Sequence, residues 1–104
     1  MKQYLPPLKS LHVFMVAGQL NSFKQAAKQL FVTQAAVSQQ IKMLEQHLDM
    51  RLFERTGRQT VLTSNGRKLL PFIEQGYTSF TAGIQAVSGD NQPNILRISA
   101  TISF

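Results

Sequence analysis

Residues 22–48, SFKQAAKQLFVTQAAVSQQIKMLEQHL, restrict the possible folds of this chain more than any other stretch, because their pattern predicts two helices joined by a tight turn. In the second helix, expected to begin at Gln34, the apolar residues fall within a stripe roughly 60° wide at about 100° per residue. That stripe, which we expect to be buried, comprises Val37, Ile41, Leu44 and Leu48. Thr33 is the expected N-cap, since its hydroxyl can accept an amide hydrogen from the first turn.

The opposite face of this helix carries small, amide-bearing or cationic side chains and no carboxylate: Ala35, Ser38, Gln39, Lys42 and Gln46. Such a face suits the major groove of DNA, where Gln can pair with an adenine edge, Lys can reach guanine or phosphate, and Ala can touch a thymine methyl. We therefore predict base contacts from Gln34, Ala35, Ser38 and Gln39, with Lys42 reaching a base or a phosphate. The alternative is an ordinary solvated helix face.

The preceding helix fits the same arrangement. Ser22 is the expected N-cap, with Gln25 at the capping-box spacing. An apolar stripe with small residues at its centre follows, formed by Phe23, Ala26, Ala27 and Leu30. Small residues allow two helices to cross closely, and Phe31 and Val32 are expected to form the turn between them.

The charge of the chain is unusually positive and unevenly placed. Eleven Lys and Arg face five Asp and Glu, giving a net charge of +6. Residues 1–68 hold ten of the cations and three of the acids. This asymmetry points to a polyanionic partner for the first part of the chain. A basic helix on a membrane surface is the competing account, but the cations are spread over several elements instead of one stripe.

Residues 51–63, RLFERTGRQTVLT, predict a two-stranded hairpin. Leu52 and Phe53 are expected to pack inward, and Thr56-Gly57 supply turn chemistry. Arg55 and Arg58 flank the glycine and could contact phosphates or enter a narrow minor groove, with Arg58 the better candidate for the groove. Arg55 is assigned to the DNA backbone or to an ion pair with Glu54 or Glu45. The alternative is that both arginines serve solubility alone.

A long helix is expected from Thr63, as its N-cap, to about Ser88. Its apolar residues alternate spacings of three and four, as in a two-stranded seam. The predicted dimerisation residues are Leu70, Ile73, Tyr77, Phe80, Ile84 and Val87. The rival explanations are docking of this stripe within the monomer or on a further domain. Pro71 removes one amide donor, so we expect a kink near residues 67–70.

Residues 1–7 are expected to form a short extended arm, and a first helix is expected over residues 8–19, with Leu11, Phe14 and Met15 in the core. The chain contains no cysteine and two distant histidines, His12 and His47, so neither a disulfide nor a metal site is expected. No apolar run is long enough for a transmembrane helix, and the N-terminus lacks the apolar core of a signal peptide.

The stretch from Ser22 to Leu48, followed by LFERTGRQTVLTSNG, resembles the winged helix-turn-helix DNA-binding domain of LysR-type transcriptional regulators. The resemblance covers about residues 8–90. Asn21 and Asp49 replace glycines usual in the family, but Asn and Asp tolerate a left-handed backbone best among non-glycine residues. Ala35 replaces a common proline, which puts base preferences inferred from the family in doubt at this position.

The resemblance implies a mainly α fold, a winged helix-turn-helix with a three-helix head and a two-stranded wing, followed by a long dimerisation helix. It divides the chain into a head (residues 1–63), a linker helix (64–89), and a hinge with the first strand of a truncated effector-binding domain (90–104). The pairing of linker helices would make a homodimer, or a higher oligomer in a longer protein. Ser22, Thr33, Arg55 and Arg67 are candidates for positioning the DNA backbone.

The resemblance further implies a bacterial, cytoplasmic, nucleoid-associated regulator that binds an interrupted inverted repeat. No cofactor is expected in this chain, and a small-molecule co-inducer is expected only for the absent effector domain. An enzyme would need convergent reactive groups, which the sequence lacks. The remaining alternative is a dimeric winged-helix module that binds another protein and does not read DNA sequence.

Overall fold

The computed structural model describes residues 5–88 of the 104-residue chain. Within them it contains α1 (Leu8–Leu20), α2 (Phe23–Leu30), α3 (Gln34–Leu48), β1 (Phe53–Thr56), β2 (Gln59–Leu62) and α4 (Ser64–Ser88). The predicted mainly α architecture, with three helices, a two-stranded wing and a long last helix, is confirmed. The hinge and strand expected in residues 90–104 lie outside the described residues.

The core of the head lies where α1, α2 and α3 meet the wing. The aromatic ring of Phe53, at the start of β1, packs edge-on against Phe14 of α1 and Phe23 of α2, with centroid distances of 5.7 and 5.0 Å. Phe14, Val37 and Leu52 are fully buried beside it. Edge-to-face packing of this kind stabilises an aromatic cluster beyond its buried area.

Helix α1 differs in detail from the prediction. Leu11 and Phe14 are buried as expected, but Met15 is only half-buried. Val13 and Val16 are buried instead, because α1 contacts both α2 and α3 and therefore buries a wider face than one stripe.

Two side-chain caps fix the ends of the helix-turn-helix. Ser22 Oγ accepts a hydrogen bond from the amide of Gln25 at 3.0 Å, and Thr33 Oγ1 accepts one from the amide of Ala36 at 3.0 Å. Both predicted N-caps are therefore confirmed. Each cap satisfies an amide that has no partner within its own helix.

The ends of α1, α2 and α3 all adopt a left-handed backbone, with φ of 52° at Asn21, 60° at Phe31 and 57° at Asp49. The conformation expected at Asn21 and Asp49 is confirmed. At Phe31 it was not predicted, since aromatic residues rarely adopt it. The amide of Val32 donates to the carbonyl of Ala27 at 3.0 Å, which closes a Schellman motif around Phe31.

The wing is an antiparallel hairpin in which Phe53 pairs with Leu62 and Thr56 with Gln59. The two-residue turn between the strands begins with Gly57, whose φ is +63°. Hairpin turns of type II′ require this conformation at the first position, which favours glycine. Leu52 and Phe53 are buried, as predicted.

Helix α4 begins at its predicted N-cap: Thr63 Oγ1 accepts from the amide of Gly66 at 3.1 Å. The helix runs through Pro71 without interruption, and the kink expected near it stays a prediction. The head and the first part of α4, up to Glu74, form one compact unit, and a second unit begins at Gln75.

Candidate nucleic-acid interface

The polar face of α3 is exposed along its length. Every side chain predicted to contact bases or phosphate from this helix is exposed: Gln34, Ala35, Ser38, Gln39 and Lys42. The opposite face is buried through Val37, Ile41 and Leu44, so the rotation of α3 about its axis is fixed by the core. The helix therefore presents amide, hydroxyl and ammonium groups outward in a defined orientation.

A groove runs between α3 and the wing. From α3 it is lined by Ala35, Ser38, Gln39 and Lys42, and from the wing by Arg55 and Thr60. The structure therefore brings four of the five residues predicted on α3 together with one of the two wing arginines. Arg58 lies in the exposed hairpin turn, outside this groove. Gln34, at the start of α3, also lies outside it.

Glu45 joins the last turns of α3 to the base of the wing. Its Oε2 accepts hydrogen bonds from the amides of Leu52 at 2.8 Å and Phe53 at 3.1 Å, and lies 3.6 Å from Nε of Arg51. The alternative pairing of Arg55 with Glu45 or Glu54 does not form within residues 5–88, and the arginine beside Glu45 is Arg51. Arg55 remains exposed at the groove.

The candidates for backbone positioning are partly used by the head itself. The hydroxyl oxygens of Ser22 and Thr33 accept hydrogen bonds from backbone amides of α2 and α3. Arg67 Nη1 donates to the carbonyl of Leu62 at 2.9 Å, and its guanidinium lies in a shallow cleft with Asn21 and Gln59. These contacts hold the three side chains in place, and their contact with DNA stays a prediction.

A buried hydrogen bond between α1 and α3 was missed by the sequence reasoning. Ser10, only 1% exposed, donates from Oγ to Oε1 of Gln40 at 2.7 Å. The two residues lie 30 positions apart, and a serine in an amphipathic helix gives no signal of such a partner. The bond helps to fix α3, since Gln40 is the immediate neighbour of Gln39 on that helix.

The stripe predicted as one dimer seam is divided. Leu70 and Ile73 are half-buried and pack against the core of the head, so these two side chains stabilise the monomer. Their role in a dimer stays a prediction. Further along α4, Phe80, Ile84 and Val87 are 52, 65 and 72% exposed. The ring of Tyr77 packs edge-on against Phe80 at 5.8 Å, and burial raises the pKa of the Tyr77 phenol above its ordinary value.

Among residues 5–88, no three His, Cys, Asp or Glu side chains lie close enough together to hold a metal ion. In the same part of the chain, no helix combines the length and apolar character needed to cross a bilayer.

The fold and the exposed helix define the class of protein, a winged helix-turn-helix protein with a polar recognition helix, α3. The model for the family described as "Bacterial regulatory helix-turn-helix protein, lysR family" matches residues 8–67. The chain therefore belongs to the lysR family, and the resemblance noted in its sequence is confirmed.

Relatives of the chain are transcriptional regulators. It is 47% identical over 81 residues to the HTH-type transcriptional regulator YxjO of Bacillus subtilis (strain 168), which covers 78% of this chain and 28% of that protein. It is 39% identical over 104 residues to the glycine cleavage system transcriptional activator of Escherichia coli (strain K12), covering 100% of this chain and 34% of that protein. The chain thus spans about a third of the length of these curated relatives.

A similar fold occurs in a solved DNA complex. The crystal structure of Vibrio fischeri DarR with DNA matches with a TM-score of 0.75 and 29% identity, covering 86% of this chain and 30% of that one.

Proposed function

We propose that this chain is the DNA-binding part of a bacterial transcription regulator, and that it binds a specific sequence in double-stranded DNA as a homodimer. The observation that carries the proposal is the groove in which the exposed side chains of Ser38, Gln39 and Lys42 of α3 meet Arg55 of the wing. The sequence supports it strongly, since residues 1–44 contain no Asp or Glu at all. The part of the surface formed by these residues, which includes the first turns of α3, therefore does not repel phosphates. The carboxylates of the groove, Glu45, Asp49 and Glu54, all follow residue 44.

In this proposal α3 lies in a major groove and the wing lies over the neighbouring minor groove. Gln34, Ala35, Ser38 and Gln39 contact base edges, and Lys42 and Arg58 reach bases or phosphates. Ser22, Thr33, Arg55 and Arg67 hold the DNA backbone. The dipole at the N-terminus of α3 adds to the attraction, because it favours a phosphate near Thr33.

The dimer is supported by the exposed apolar side chains of the second half of α4. Phe80, Ile84 and Val87 recur at helical spacing, and each is more than half exposed. A second copy of the helix would cover them, as in a two-stranded seam. Two heads related by a two-fold axis would then bind an interrupted inverted repeat, which mirrors the symmetry of the protein.

The proposal includes no catalysis and no cofactor for this part of the chain. The expected small-molecule co-inducer is assigned to an effector-binding domain outside residues 5–88. We propose a cytoplasmic, nucleoid-associated location, where double-stranded DNA is present.

The test is selection of bound sequences from a pool of random DNA duplexes by the purified chain. The proposal predicts enrichment of one motif with two related halves. Recovery of unrelated sequences would contradict sequence-specific binding and would favour the alternative, a dimeric winged-helix module that binds another protein.

A further inference from the structure

Phe31 is the most exposed large apolar side chain among residues 5–88, with 94% of its surface accessible. It lies in the turn of the helix-turn-helix, directly after α2. Single exposed apolar residues are common on protein surfaces and need no explanation by themselves. At Phe31, exposure is combined with an unfavourable backbone.

The backbone of Phe31 is left-handed, with φ 60° and ψ 43°. For a residue with a Cβ this conformation costs free energy, and glycine or asparagine would adopt it more easily. The two other helix ends of this kind carry Asn21 and Asp49, which tolerate it. Phe31 therefore makes the turn less stable than glycine or asparagine would at the same position. Its ring packs against no residue of the core. Such a residue is a candidate for a role outside folding.

The surroundings of Phe31 indicate which partner its ring would meet. Lys24 and Lys28 are exposed at positions i and i+4 of α2, so they share one face that leads to the turn. Phe31 follows Lys28 by three residues. It also precedes Thr33, the N-cap of α3, by two residues, which an extended chain spans in about 7 Å. Along the chain, Phe31 thus lies between a cationic row and the start of the recognition helix.

We infer that Phe31 is an additional DNA-contacting residue, whose ring packs against a deoxyribose of the backbone while Lys24 and Lys28 contact the flanking phosphates. This inference rests on the proposed function. A protein partner is less well matched, since the row is cationic and residues 1–44 offer no carboxylate for a mixed-charge interface. The apolar face of a sugar between two phosphates presents the complementary pattern.

The experiment compares F31A and F31G with the wild-type 104-residue chain. Binding is measured by fluorescence anisotropy on a duplex that the wild type has selected from the random pool, and stability by thermal unfolding. F31A removes the ring and keeps a Cβ, whereas F31G also relieves the backbone. We expect both variants to bind about 5-fold more weakly, the equivalent of ~1 kcal/mol. F31G should unfold at a higher temperature than the wild type, and F31A should not.

Two further variants complete the experiment. F72A removes another exposed ring, 70% accessible and on α4 away from the apolar stripe, and should leave the affinity unchanged. K28Q should reduce the slope of log affinity against log salt, because a phosphate contact is lost.

The outcomes separate this inference from the proposed function. Wild-type affinity in both F31A and F31G, or an equal loss in F72A, overturns the role of Phe31 and leaves the proposed function intact. If both F31A and F31G keep wild-type affinity, contact of the ring with a protein partner becomes the better explanation of its exposure. Failure of the wild type to bind any duplex contradicts the proposed function, and this inference with it.

Discussion

Oε2 of Glu45 accepts a hydrogen bond from the backbone amide of Leu52 at 2.8 Å, and a second from the amide of Phe53 at 3.1 Å. Through this carboxylate the recognition helix holds the base of the wing. The distance between the two elements that line the groove is therefore set partly by a side chain that is itself on the groove wall. The hydrogen bonds of Glu45 thus make the groove a property of the folded head.

Glu45→Ala should destabilise the head by about 1–3 kcal/mol, because two partly buried amides at the start of β1 lose their acceptor. Denaturation in urea, followed by circular dichroism, measures the change. Glu54→Ala is the matched control, since Glu54 is exposed and should change stability by less than about 0.5 kcal/mol. Equal effects of the two substitutions would show that the hydrogen bonds of Glu45 do not hold the wing.

Gly66→Ala should destabilise the chain by about 3 kcal/mol, at the upper end of the effects of overpacking. A Cβ at Gly66 would overlap the backbone carbonyl of Leu52 and come within 2.8 Å of Cδ2 of Leu62, and backbone cannot move aside cheaply. Thermal unfolding measures the loss.

Gly83→Ala is the control for that substitution, because a Cβ there meets nothing within 4 Å. It should stabilise α4 by about 0.5–1 kcal/mol through helix propensity. A Gly66→Ala variant at least as stable as the wild type would contradict the close approach of α4 to the wing.

Gln39→Ala should weaken binding to the selected duplex by about 1–3 kcal/mol and binding to a random duplex very little, since only the former loses a base contact. Arg58→Ala should weaken binding to both duplexes and reduce the salt slope. Anisotropy titrations on the two duplexes measure both variants. Equal losses on both duplexes for Gln39→Ala would refute direct readout by that side chain.

Ile84→Asp should shift the chain towards the monomer, because it places a carboxylate in the exposed apolar stripe of α4. Sedimentation velocity measures the shift, and affinity for a duplex with two half-sites should fall with it. Gln85→Asp, an exposed neighbour outside the stripe, should leave the oligomeric state unchanged. A dimer that survives Ile84→Asp would contradict pairing through this stripe.

Local patterns predicted most of the head. The spacing of Val37, Ile41 and Leu44 predicted the buried face of α3, and the hydroxyls of Ser22 and Thr33 predicted the N-caps of α2 and α3, because both signals depend on nearby residues alone. The left-handed ends at Asn21 and Asp49 followed from side-chain chemistry. These features need no knowledge of the tertiary fold.

Contacts between distant residues account for what was missed. The Ser10–Gln40 hydrogen bond depends on how α1 crosses α3. Leu70 and Ile73 belong to one periodic stripe with Ile84. The spacing of apolar residues does not show that the head buries only the first part of this stripe. Phe31 adopts a backbone that its residue type disfavours, since the turn between α2 and α3 requires it.

The central claim is that a cationic head presents α3 and the wing to a specific duplex. Its most direct test is titration of the wild-type chain into the selected duplex and into a scrambled duplex over a series of salt concentrations. The account predicts that the selected duplex binds about 1,000-fold more tightly or better, and that the logarithm of its affinity falls linearly with the logarithm of salt. Equal affinity for the two duplexes, with no dependence on salt, would contradict it.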